Sequence, residues 1–168
     1  MSSFTDTNLQ QFKIRIAEKK DIPVILSLIK ELAEYEKMSD DVVATEELLR
    51  ESLFVKKVAE VVIGEYEEKT VCFALFFHNF STFLGKSGLY LEDLYIKPYM
   101  RGKGIGKMML SYIGKLAVER DCGRMEWACL DWNEPSIKFY KHMGAVPMDD
   151  WTIYRISGDE LKNLADKF

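Results

Sequence analysis

"LEDLYIKPYMRGKGIGKMML", residues Leu91–Leu110, decides how this chain is read. Its first half has the apolar, β-rich character of a strand, and Pro98 ends it. Three glycines, Gly102, Gly104 and Gly106, then lie among Arg101, Lys103 and Lys107, and a Met/Leu-rich helical run follows. That order builds a seat for a phosphate. The first amides of a helix have no intrahelical acceptor and stand at the positive end of its dipole. Glycines let an anion approach without meeting a Cβ and allow positive φ, and the basic side chains add charge-assisted contacts. The plainer reading is a flexible turn before an ordinary helix. Agreement between strand, loop and helix weighs against it.

Two familiar phosphate loops do not fit. A P-loop needs glycine at position 101 and Ser/Thr at 108, which are Arg101 and Met108. The dinucleotide fingerprint needs glycine at 107, which is Lys107.

Outward from this stretch, "FKIRIAE" (Phe12–Glu18) alternates as a strand. Asp21 is the expected cap of a helix with Pro23 in its first turn; Ile22, Ile25, Leu26, Ile29, Leu32 and Ala33 recur at helical spacing. Thr45 caps a shorter helix, "ATEELLRESLF". "KVAEVVIGEY" and "TVCFALFFHNF" pair as a hairpin around "EEK". Beyond the glycine helix come a short strand, "RMEWACL", and the helix "NEPSIKFYKHMG". That helix has Asn133 as cap, Pro135 in its first turn and Gly144 as stop. A strand "WTIYRI" and a short helix, "SGDELKNLADKF", finish the chain. The order, roughly βααβββαβαββα, predicts an α+β fold: a central mixed, mostly antiparallel sheet flanked by helices. Residues 1–11 read as a poorly ordered tail and 12–168 as one domain.

Net charge is −4, so no basic surface points to nucleic acid or anionic membrane. No apolar run approaches the ~18 residues of a membrane span, and polar "MSSFTDTNLQQ" has no secretory apolar region. Cys72, Cys122 and Cys129 are odd in number and lack CxxC spacing, which reads as reduced thiols in a cytoplasmic protein. His78 and His142 find no further ligand or triad partner, so no metal is expected.

The glycine segment, "YLEDLYI" and "DWNEPSIKFYKHMGA" together resemble the GNAT N-acetyltransferase superfamily, in its diamine (spermidine/spermine-type) and thialysine-acetylating branch; "LIKELAEYEKM" matches as well. The likeness runs from about Phe12 to Leu164. It implies acetyl-CoA as co-substrate, a small primary amine as acceptor, direct attack in a ternary complex and a homodimer. The pyrophosphate would lie on the amides of Gly102, Lys103, Gly104, Ile105, Gly106 and Lys107, beside Arg101. Amides of Leu94, Tyr95 and Ile96 would hold the pantetheine arm, with Asn133 and Ser136 as further coenzyme contacts.

The same resemblance makes Tyr140 the acid for the departing thiolate and Glu92 the group that orients the amine and takes its proton. Tyr35, Glu36, Asp93 and Trp151, beside Asp149 or Asp150, would border the acceptor. From the residues alone, Asp93 reads equally as a loop cap or a lysine partner, and Glu36 as a solvated helix end. Strand alternation is expected to send Glu92 and Asp93 to opposite sheet faces. The chain departs from spermidine-type relatives at "FSTFLGK": Ser81 and Thr82 replace an acidic residue, so long polyamines lose a partner for their distal ammonium. A peptide N-acetyltransferase and a non-catalytic coenzyme A-binding module are the alternatives.

Overall fold

The computed structural model describes residues 4–168. Two compact units, Met1–Ala128 and Cys129–Phe168, are taken in turn.

In the first unit, six strands form one sheet in chain order: β1 (Thr5–Asp6), β2 (Phe12–Ile16), β3 (Glu60–Tyr66), β4 (Lys69–Ser81), β5 (Lys86–Ile96) and β6 (Met125–Trp127). All neighbours are antiparallel except β5 and β6, so the sheet is mixed and mostly antiparallel as expected. The β3–β4 hairpin turns at Glu67 and Glu68, whose φ of 48° and 64° match the right-handed twist of the strands they join.

Helix α1 (Ile22–Glu36) buries Ile25 and Leu28 with Ala17, Ile63, Phe73 and Tyr95 in a core on one sheet face. Helix α3 (Ile105–Glu119) buries Ile105, Met109, Leu110, Ile113 and Ala117. Arg120, just beyond it, holds Glu60 by two hydrogen bonds and lies over Phe76, the residue opposite Glu60 on β4. Thr45 caps α2 (Glu46–Arg50) by accepting the Leu48 amide, as its position predicts.

Asp21 departs from expectation. It stands at the start of α1, yet its carboxylate makes no cap bond. Arg15 of β2 binds it in a fork of 2.6 and 2.9 Å, and the Glu18 amide donates to it at 2.7 Å. Arg15 also reaches Glu65 of β3 at 2.8 Å. All three are largely buried. A charge taken out of water is kept where partners surround it, and here the group ties β2, β3 and the entry of α1 together.

The second unit contains α4 (Glu134–His142) and α5 (Gly158–Ala165). Asn133 caps α4 by accepting the Ser136 amide, Pro135 lies in its first turn and Gly144, at φ 90°, ends it. The strand expected at Trp151–Ile156 does not form; its residues join no ladder among the described residues. An alternating pattern makes a strand only where a partner edge accepts its amides. The observed order therefore gains β1 and loses the strands expected after α4.

Candidate active site

The first unit builds its site at the end of β5. Leu91 lies opposite Phe76, and Asp93 lies opposite Leu75, so Glu92 is an extra residue in a β-bulge. Directly opposed residues share a sheet face. Leu91 therefore faces with Phe76, whereas Asp93 and Tyr95 face with Leu75 and Phe73 toward α1. The bulge thus puts Leu91 and Asp93, two residues apart, on opposite faces, where unbroken alternation would put them on one.

The bulge also decides which amides are available. Strand β6 ends at Trp127, opposite Leu91, so among the described residues no strand pairs with that edge of β5 beyond it. The Lys97 amide donates to Val71 on the β4 side. Alternate residues of an antiparallel strand point their amides the same way. Tyr95 therefore turns its amide to β4, and Leu94 and Ile96 turn theirs to the unpaired edge.

Pro98–Met100 form one tight helical turn, and the glycine loop follows. Gly102 and Gly104 have φ of 74° and 83°, a region where a Cβ is strained. Gly104 occupies the cap position of α3 and brings no capping side chain. The first helical bond runs from the Met108 amide to the Gly104 carbonyl. The amides of Ile105, Gly106 and Lys107 thus stand at the head of α3 without helical acceptors. These are the donors a pyrophosphate requires, and a residue with a Cβ cannot adopt the two glycine conformations cheaply. Lys103 leans on the Met100 sulfur at 3.6 Å.

Three carboxylates, Asp93, Glu92 and Glu36, stand close enough for the charges of the last two to act on the first. Asp93 is half-buried, and burial, then the charges of Glu92 and Glu36, push its carboxyl up to about 7. Burial also raises Glu36, in the last turn of α1. Glu92 is exposed. No cation pairs with any of the three among the described residues. The family resemblance assigns proton transfer to Glu92; the electrostatics of the fold make Asp93 the carboxyl poised near neutral pH. An apolar neighbourhood created by a register shift leaves no mark in one strand's own pattern.

Tyr35 precedes Glu36, and α1 closes just after them at Lys37 in the left-handed conformation. Arg101, at the mouth of the glycine loop, lies over the Tyr35 ring. In the second unit, Tyr140 stands 5.3 Å from Phe139, ring to ring, one turn beyond Ser136 and about two beyond the Asn133 cap, while Trp151 follows the helix in the irregular segment. Cys72 lies inside the sheet, where burial pushes its thiol up to about 12, too high for a nucleophile at neutral pH. Among the described residues, no His, Cys, Asp or Glu cluster has the arrangement of a metal site, and no helix is long and apolar enough to cross a membrane.

Residues 25–145 match the Acetyltransferase (GNAT) family. The chain is 37% identical to a thialysine N-epsilon-acetyltransferase of Bos taurus, over 92% of this chain and 97% of that one. It is 30% identical to an L-ornithine N5-acetyltransferase of Arabidopsis thaliana, over 90% and 87%. An integron cassette protein from the mobile metagenome of V. cholerae superposes with a TM-score of 0.78 at 25% identity, covering 93% of this chain and 98% of that one. With its bulged strand, its glycine loop and these matches, the chain belongs to the GNAT acetyltransferase family and is an N-acetyltransferase.

Proposed function

We propose that this enzyme transfers the acetyl group of acetyl-CoA to the terminal primary amine of a small lysine-, thialysine- or ornithine-like molecule, by direct attack in a ternary complex. The observation that carries this reading is the group of Glu36, Glu92 and Asp93, three carboxylates with no cation paired to them among the described residues. A cationic acceptor supplies the missing charge. The names of the bovine and Arabidopsis relatives support an acceptor ending in an aminoalkyl chain.

An ammonium of pKa ~10.4 must lose a proton before it can attack. An ordinary carboxylate is mismatched to that task by roughly a million-fold in proton affinity; one near 7 is mismatched by roughly a thousand-fold. Glu92, exposed on the bulge, meets the ammonium, and the Glu92–Asp93 pair receives its proton directly or through water. Acetyl-CoA supplies an activated thioester. The residues assigned to hold it are the amides from Gly102 to Lys107, with Arg101, Lys103 and Lys107, and the edge amides of Leu94 and Ile96, with Asn133 and Ser136 in the second unit. Tyr140 donates a proton to the leaving sulfur. Tyr35 and Trp151 border the acceptor.

Ser81 favours a short acceptor over a long polyamine. It is buried, and its hydroxyl accepts the Leu84 amide at 3.3 Å within the β4–β5 turn, so it has neither charge nor reach for a distal ammonium. Thiol release with thialysine, lysine, ornithine, putrescine, spermidine and a set of peptides tests the proposal. The aminoalkyl amino acids should have the highest kcat/KM. Spermidine turned over tenfold better than thialysine overturns the acceptor assignment, and turnover of peptides alone supports a peptide N-acetyltransferase.

A further inference from the structure

We propose that Arg101 is a positioning residue for the acceptor: through Tyr35 it holds the last turn of α1, and with it Glu36, against the end of β5. The inference rests on the N-acetyltransferase reading above. It gives Arg101 a task beyond the coenzyme contact its place in the glycine motif suggests.

The guanidinium carbon of Arg101 lies 4.6 Å from the centroid of the Tyr35 ring and 5.6 Å from that of Tyr95. Its Nε donates to the Ile96 carbonyl at 3.0 Å. A cation within about 6 Å of a ring face is attracted to it, and arginine adds the stacking of a planar group. The surrounding contacts run the same way. Lys97 pairs with Glu31 of α1 at 2.7 Å, and the Tyr95 hydroxyl donates to Glu31 at 3.4 Å. Those bonds secure α1 more than one turn before its end. Arg101 reaches the final turn, immediately before the reversal at Lys37, where Glu36 joins Glu92 and Asp93. The connection that begins the donor loop therefore also aligns one wall of the acceptor site.

Lysine in place of Arg101 keeps the charge but loses the planar stack and the Nε bond, so charge alone does not restore the function. The test compares wild type, Arg101→Ala, Arg101→Lys, Tyr35→Leu and the Arg101→Ala/Tyr35→Leu double variant. Amine KM and kcat are measured with thialysine, and coenzyme A affinity by calorimetry. Arg101→Ala and Tyr35→Leu should each raise amine KM about fivefold, as loss of one cation–ring contact implies. In both, the rise in amine KM should exceed any fall in kcat or in coenzyme A affinity, the double variant should be no worse in amine KM than the poorer single one, and Arg101→Lys should remain impaired. An unchanged amine KM in Arg101→Ala, or multiplication of the two effects in the double variant, overturns the proposal. Failure of the wild type to acetylate any amine counts against the proposed function instead and is read first.

Discussion

Burial and two neighbouring carboxylates push the Asp93 carboxyl up to about 7. Two outcomes follow from the sign of that shift. As proton acceptor it must be ionised, so kcat/KM for the amine should fall about tenfold per pH unit below 7, and Asp93→Asn should flatten that limb while lowering turnover at least tenfold. For stability, an acid raised in the folded state binds a proton that the unfolded chain has released. Its penalty accrues between about 4 and 7 and is complete above. Asp93→Asn should therefore raise the melting temperature by a few degrees at pH 8 and by less at pH 5, measured by calorimetry. Loss of activity together with gained stability is the signature of a functional group held at a cost. Tyr140→Phe removes only a hydroxyl. It should lower kcat by about a hundredfold with little change in amine KM; unchanged turnover across the pH range removes Tyr140 from the reaction.

Elements were legible wherever the information was local. The caps at Thr45 and Asn133, the stop at Gly144, the β3–β4 hairpin and the glycine head of α3 each follow from a few adjacent residues. The bulge at Glu92 was not, because a two-against-one register belongs to a pair of strands. Nor was the contact of Arg101 with Tyr35, which joins segments distant in sequence.

Asp21 shows a local signal overruled: the type and position of a helix cap, taken by a buried arginine from the preceding strand. Burial pushes its carboxyl up, but hydrogen bonds from Arg15 and the Glu18 amide, with the arginine charge, outweigh this and leave it below the ordinary range. A carboxyl lowered in this way stabilises the fold above its unfolded pKa, and the stabilisation is lost as pH falls through the folded value. Asp21→Asn should cost about 3 kcal/mol at pH 7 in urea unfolding. The cost should shrink below pH 3; an equal cost at both pH values contradicts the ion-pair account.

For the whole molecule, β5 and the connection after it carry both the Glu92–Asp93 pair and the glycine loop, the proposed acceptor and donor sites. Trp151–Ile156 joins no ladder among the described residues, and the homodimer that the family resemblance implies would offer it a second copy's edge. Light scattering should give twice the chain mass of 19.5 kDa, and a monomer at micromolar concentration contradicts a dimer. Coenzyme binding by the bare amides at the head of α3 underlies every proposed step, so the most direct measurement is calorimetric titration of acetyl-CoA into the wild type and Gly104→Val. Micromolar binding to the wild type, weakened at least tenfold in a variant that still melts cooperatively, is the predicted result. Equal binding to both proteins, or none to the wild type, contradicts it.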